Sequence, residues 1–421
     1  MTARTEHDTL HGRFLQWHQG ETPGPWQISF YPTYRCNIRC KICWKQAFEE
    51  PLDRSEEISK ERMVELVDEA ADLGVKYWIL GGGGELTLRS TAVMPMVERI
   101  RQRGMNGLIQ TNFTRWTDAQ LEKLVEIQWD KLTISLDGPT AEINNAIRDK
   151  NDFEKVVANI RRLQEIKRAR NSMYPLVNIM SVVTNLNHDK LKGFVDLSAE
   201  LEMSPGGISL VDLIVYGEND KAFMLNEEQR ARMPGLVDEA IDYAQQKNVT
   251  CFYRVYRQAL ASGHPMDAMD LFHEPELRLS PRSMCFEPFF HMVIMPDGKT
   301  GPCCTFHDPD RAQTVWNTPL KEVWLGPYLQ EVRHRLLQGK PMDYCKECMI
   351  TRISANRDLQ AEFSEYMADV SLERGLNPLD LMGRAGRSLQ KYGVLGTMKR
   401  GREWALARKF AKQRATKRLE S

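Results

Sequence analysis

The chain has 421 residues, 42% of them hydrophobic and 27% charged, enough to bury one or two globular cores and unlike a disordered or collagen-like composition. No run of about 18 apolar residues occurs, and Met1 is followed by a polar stretch, which speaks against a membrane span or secretory leader and for a cytoplasmic protein. Lys and Arg number 57, as do Asp and Glu, so wholesale coating of nucleic acid is excluded and only local patches remain to be read.

From about residue 27 to 255, short apolar and β-branched runs alternate with longer amphipathic segments, the pattern of βα units around a parallel sheet. The strands are predicted at 27–33, 76–81, 107–112, 130–136, 175–183 and 208–215, with a possible seventh at 249–254. Helical periodicity fills 59–74, 92–104, 117–127, 152–169, 188–202 and 226–247, each long enough for a crossover. Such a sheet closes wholly or partly into a barrel, with its chemistry in the loops after the carboxyl ends of the strands. After Arg257 the alternation stops and Pro, Met, Cys and short turns become frequent. The expected organisation is an N-terminal extension (1–26), a barrel (27–257), a smaller cysteine-rich domain (258–357) and a helical tail (358–421). Across 381–421 the tail carries twelve Lys and Arg against two Glu. It reads as a solvated helix, with an anionic partner or a membrane surface next and RNA last, since no recognisable RNA-binding fold accompanies it.

Nine cysteines without a leader favour metal ligation or catalysis over disulfides. Cys36, Cys40 and Cys43 follow the first strand as C-x3-C-x2-C. Three thiolates this close can hold three irons of a [4Fe–4S] cube and leave the fourth open to a small molecule; an incomplete zinc site or three unrelated thiols are the alternatives. The second strand runs into Gly81–Gly84 and Glu85, where glycines let backbone approach a ligand, though a loose turn would look the same. The fourth ends Ser135-Leu136-Asp137-Gly138, with Arg148 downstream.

These motifs resemble, in order and over about residues 27–255, the radical S-adenosylmethionine (SAM) superfamily, whose fold is a partial (β/α)6 barrel. The resemblance implies that Cys36, Cys40 and Cys43 ligate a cluster whose open iron chelates SAM, and that an electron from a reductant such as a flavodoxin or ferredoxin cleaves SAM to a 5′-deoxyadenosyl radical. It puts Ile42 against adenine, Gly83, Gly84 and Glu85 at the methionyl amino group, and Ser135 and Arg148 at the ribose or carboxylate. Asn112 and Asn178, at the end of the third strand and within the fifth, are further cofactor-binding candidates or ordinary strand polar residues. Two departures stand out: Leu86 replaces the usual Pro, and Asn144-Asn145 replaces a His-Asp.

Cys285, Cys303, Cys345 and Cys348 could saturate one cluster or one zinc ion. Their surroundings, including Asn317 and Leu320–Trp324, resemble the SPASM or twitch extension of the same superfamily, which implies an auxiliary [4Fe–4S] cluster on these four cysteines and leaves Cys304 spare. The layout is similar to that of an aminocyclitol dehydrogenase. Saturated by protein, such a cluster relays electrons. The resemblance therefore implies an oxidoreductase acting on a small polar molecule such as a sugar or cyclitol. Alternatives are an epimerase with Cys251 as hydrogen donor, a peptide-modifying maturase, for which the 26 residues before the first strand are few, and a non-enzymatic iron–sulfur or zinc protein. Cys251 reads equally as a buried free thiol.

Overall fold

The computed structural model describes residues 9–47, 57–148, 150, 152–215, 218–262, 278–281, 283–304, 308 and 310–373. Its strands are β1 (Gln27–Phe30), β2 (Tyr77–Leu80), β3 (Asn106–Thr111), β4 (Lys131–Ser135), β5 (Leu176–Val182), β6 (Gly207–Val211), β7 (His291–Ile294) and β8 (Thr300–Gly301). The helices are α1 (Leu10–His18), α2 (Lys60–Asp72), α3 (Ser90–Gln102), α4 (Asp118–Glu126), α5 (Ala141–Arg148), α6 (Phe153–Ala169), α7 (Leu191–Glu200), α8 (Glu218–Lys221), α9 (Glu227–Gln246), α10 (Tyr253–Ser262), α11 (Glu287–Phe290), α12 (Leu320–Trp324), α13 (Pro327–Leu337) and α14 (Ile350–Glu373). None is long and apolar enough to cross a membrane.

Strands β1 to β6 are parallel and each pairs with the next in sequence, the order of an opened TIM-type barrel. On the other side of β1 the sheet continues into parallel β7 and antiparallel β8, giving the order β6-β5-β4-β3-β2-β1-β7-β8. The sheet thus runs across the boundary expected near residue 257, and residues 1–362 form one compact unit. Strand side chains alternate between two faces. On the helix-facing side Ile28, Phe30, Trp78, Leu80, Ile109, Leu132, Ile134, Val177, Ile179 and Ile208 are fully buried. The opposite parity carries Ser29, Gln110, Thr133, Ser135, Asn178 and Ser209. An apolar outer row drives packing of the helices, while polar side chains interspersed with Ile79, Leu108, Met180 and Val182 on the inner face leave the lumen able to hydrogen-bond a ligand.

Three of the barrel's helices start at side chains that cap them. Ser59 accepts from Arg62 N at the start of α2, and Thr117 with Gln120, and Asn226 with Gln229, form capping boxes for α4 and α9. The possible strand at 249–254 is not formed. Only Cys251 bridges Ile208, and α10 takes over from Tyr253, because Tyr253, Tyr256 and Ala259 repeat at helical spacing and are buried. Period 3.6 outcompetes β-propensity there. In the N-terminal extension α1 is anchored: Phe14 meets Phe286 edge to face at 4.8 Å and Trp17 Nε1 donates to Phe289 O at 2.7 Å. The basic segment 381–421 and His307 lie outside the described residues.

Candidate active site at the barrel mouth

The cysteine loop leaves the carboxyl end of β1 and is held from three sides. Lys41 N donates to Ile147 O at 2.9 Å, Lys150 Nζ to Asn37 O at 2.9 Å, and Trp44 Nε1 to Gly82 O at 3.1 Å. Asn112 Nδ2 donates to Asn37 Oδ1 at 3.0 Å and lies 3.8 Å from Cys36 Sγ, while its Oδ1 accepts from the Thr114 hydroxyl at 2.7 Å. Cys36, Cys40 and Cys43 are partly exposed and close enough to one another to interact as charges. Burial pushes the Cys40 thiol up to about 12 against the pull of Arg148. Ile42 is half-buried between two of these thiols.

The glycine loop after β2 presses its backbone against this loop. A Cβ on Gly84 would meet Arg35 O at 2.0 Å and one on Gly83 would meet Thr33 O at 2.8 Å, and Gly81 and Gly82 have φ of +135° and +119°. Only glycine fits this approach. Glu85 N donates to Arg35 O at 2.8 Å. Its carboxylate, 1% exposed, accepts from the Thr87 hydroxyl at 2.8 Å, the Thr111 hydroxyl at 2.9 Å and Asn112 N at 2.8 Å. Burial pushes that carboxyl up and these donors oppose the rise. Both oxygens are engaged, so Glu85 ties the glycine loop to the end of β3.

After β4, Arg148 donates through Nη1 to Asp137 Oδ2 at 3.0 Å, and Asp137 Oδ1 accepts from Val182 N at 2.9 Å. Arg148 and Asp137 are 4% and 3% exposed. Arg148 Nε is buried with no partner among the described residues, an unspent donor. Asn144 accepts from Asp137 N and donates to Asp152, and Asn145 accepts from Asp152 N, so this pair builds the turn into α6. Ser135 lies half-buried at the end of β4, in register with Met180. Asn178 is set deeper: its Nδ2 donates to Ser209 Oγ at 2.9 Å and its Oδ1 is buried without a partner among the described residues.

In the cysteine-rich stretch, Cys285 precedes α11, Cys303 and Cys304 follow β8, and Cys345 lies within the short 3-10 turn Asp343–Glu347, which Cys348 caps by donating its N–H to Cys345 O at 3.4 Å. Cys285 interacts with Cys303 and Cys348, and Cys348 with Cys304 and Cys345. All five thiols therefore share one neighbourhood, Cys304 included. A cavity of about 420 Å³ separates this neighbourhood from the barrel. Val183 and Asp212, just beyond β5 and β6, and Tyr256 line one side; Cys348 and Met349 line the other. Tyr256 hydrogen-bonds Asp212.

The Radical SAM superfamily model matches residues 30–197, and the model of the SPASM iron–sulfur cluster-binding domain matches residues 285–349. The chain carries a radical SAM domain and a C-terminal SPASM domain. Among curated proteins it is similar to the mycofactocin maturase MftC of Mycolicibacterium smegmatis, 28% identical over 44% of this chain and 45% of the relative. It also resembles the tungsten-containing aldehyde ferredoxin oxidoreductase cofactor-modifying protein of Pyrococcus furiosus, 31% identical over 48% of this chain and 59% of the relative. The chain spans about half the length of these relatives. Streptococcus suis SuiB bound to S-adenosylmethionine shares the fold, with a TM-score of 0.57 at 18% identity over 77% of this chain and 71% of that one.

A chain with these two domains uses SAM and two [4Fe–4S] clusters, and the residues present fit that requirement. Each site gathers at least three thiols, a glycine cradle lies beside the first, and Arg148 Nε is an unspent buried donor. Among the described residues no three His, Cys, Asp or Glu side chains converge on a single ion; a cube takes each thiolate on a different iron.

Cys251 is not brought into this radical SAM site. It bridges Ile208, in the amino-terminal half of β6 and on the helix-facing parity, whereas the cysteine loop lies beyond the carboxyl ends. Burial pushes its thiol up to about 11. Asn37, Thr111 and Asp137 are site-building residues that the sequence reading passed over. Asp137 stood inside the Ser-x-Asp-Gly turn, whereas Thr114, which accepts from Asn37, and Glu85, which accepts from Thr111, lie 77 and 26 residues from them and leave no local signal.

Proposed function

We propose that this enzyme oxidises a substrate seated in the 420 Å³ cavity lined by Cys348 and by residues just beyond β5 and β6, with Cys36, Cys40 and Cys43 holding the SAM-binding cluster and the C-terminal cysteines the auxiliary one. The observation that carries this reading is that one cavity is lined by β5–β6 loop residues and by Cys348. Bound at the first site, SAM and the cluster supply on reduction a carbon-centred radical able to take a hydrogen atom from an unactivated carbon. The chain's own contribution is positional. The glycine loop lets backbone approach the SAM amino group, Arg148 offers Nε to its carboxylate or ribose, and Asn112 steadies the cysteine loop through Asn37. A cluster held by the C-terminal cysteines would supply an acceptor for the second electron, and Asp212, the cavity's one carboxylate among the described residues, would take the proton of a two-electron oxidation.

Leu213, Ile214, Val215, Leu225 and Leu260 make the cavity walls largely apolar, and Val215 and Met224 are exposed at it. Buried there, the hydroxyls of a sugar or cyclitol would go unpaired at a cost of about 1–3 kcal/mol each. An apolar side chain of a peptide suits these walls better, and the mycofactocin maturase among the relatives is in keeping with it. One observation keeps the small polar substrate in play: Asp212, Tyr256 and Arg230 gather on one part of the lining.

The test is an anaerobic reaction of the reconstituted protein with SAM, dithionite and, in turn, cyclitols and short peptides bearing aliphatic or aromatic side chains, run in deuterated water. A product two hydrogens lighter and free of solvent deuterium at the reacting carbon is expected. A product of unchanged composition carrying one deuterium would replace oxidation by epimerisation.

A further inference from the structure

A polar chain, fully buried at His291 and partly exposed at Arg352, runs from the first barrel strand to the second cysteine site. The Ser29 hydroxyl on β1 meets His291 Nε2 at 2.8 Å. His291, fully buried on β7, meets Glu287 Oε2 through Nδ1 at 2.6 Å. Glu287 Oε1 accepts from Arg352 Nη1 at 3.3 Å. Arg352, on the first turn of α14, also hydrogen-bonds Cys304 and interacts with Cys303. Glu287 lies two residues after Cys285 and Arg352 four after Cys348, so the chain's last two members are attached to both halves of the cysteine set.

Burial of this many polar groups is costly unless each is paired. The Glu287 carboxylate meets His291 through Oε2 and accepts from Arg352 through Oε1, and so fixes where the guanidinium points. His291 and Ser29 fix Glu287, so Arg352 is oriented from the barrel sheet.

We propose that Arg352 is the positioning residue that sets the reduction potential of the auxiliary cluster, held against the Cys303–Cys304 turn by the Glu287–His291–Ser29 chain. The inference rests on the assignment of that cluster to the C-terminal cysteines. Four thiolates on a cube leave net negative charge, and reduction adds more. A fixed cation and hydrogen bonds to cysteine sulfur stabilise the reduced form and raise the potential. A raised potential suits a site that must accept an electron from substrate. Either member of the Cys303–Cys304 pair as ligand leaves the guanidinium beside the cluster.

The experiment is a redox titration of the full-length, anaerobically reconstituted protein, with each cluster followed by its electron paramagnetic resonance signal. In Arg352→Gln, at the wild-type midpoint, the reduced fraction of the auxiliary cluster relative to oxidised should fall at least tenfold, a shift of about 59 mV to more negative potential for a one-electron couple. The Cys36/Cys40/Cys43 cluster should not move. Arg352→Lys keeps the charge and should stay within about threefold of wild type. An auxiliary midpoint unchanged in Arg352→Gln, or shifted equally in Arg352→Lys, overturns the proposal. Loss of auxiliary iron in Arg352→Gln but not in Arg352→Lys supports the charge role, and loss in both overturns it. Wild-type protein that loads a single cluster overturns the underlying cluster assignment instead, an outcome distinct from two clusters that ignore Arg352.

Discussion

Asp137 links two neighbours through one carboxylate: Oδ2 accepts from Arg148 at 3.0 Å and Oδ1 from Val182 N at 2.9 Å. The α5 arginine beside the cysteine loop and the end of β5 beside the cavity are thereby fixed to a single residue. Removing the charge by Asp137→Asn leaves Arg148 buried and half-paired, which should cost on the order of 3 kcal/mol of stability. Denaturant melts of the cluster-free protein measure this. A loss below about 1 kcal/mol would mean that the pair is solvated.

Gly84 is where the two loops touch. Gly84→Ala places a Cβ 2.0 Å from Arg35 O, backbone that cannot swing aside, so SAM affinity measured by equilibrium dialysis should drop at least about tenfold, or 1.4 kcal/mol. Gly235→Ala is the control. It lies within α9, where a Cβ meets nothing within 4 Å, and should stabilise by about 0.5–1 kcal/mol without touching SAM binding.

How far the sequence foretold this site depends on range. The C-x3-C-x2-C loop, the glycine run and the six parallel strands are local patterns and were readable. Strand ends were read too long where the chain turns to function: β1 stops at Phe30, because Pro32 has no N–H to give a ladder. The contacts that weld the site are long-range. Thr111 reaches Glu85 across 26 residues and His291 reaches Ser29 across 262, and no window of sequence records such pairings. The same holds for β7, which joins β1 from inside the stretch read as a separate domain. The possible strand at 249–254 differs for another reason: a β-branched run suggested a strand, and the helical repeat of Tyr253, Tyr256 and Ala259 prevailed.

The position of Cys251 on the helix-facing side makes a clear forecast. Cys251→Ala should keep both 5′-deoxyadenosine formation and product formation, losing only the packing of a small side chain, about 1 kcal/mol. A variant that still forms 5′-deoxyadenosine and yields no product would restore the thiol as a hydrogen donor.

The C-terminal cysteines offer an independent check. Cys345→Ala should bring iron per chain from about eight to about four while SAM cleavage persists, since each cube is held by its own thiolates. Full iron content in this variant would remove Cys345 from the ligand set.

The central claim is that Cys36, Cys40 and Cys43 make this chain a SAM-cleaving enzyme, and 5′-deoxyadenosine formed from SAM under dithionite measures it most directly. Wild-type protein should produce it. The variant with all three replaced by Ala should produce none while melting within about 1 kcal/mol of wild type, because the barrel's buried apolar row does not include that loop. Production at the wild-type rate by the triple variant would contradict the account.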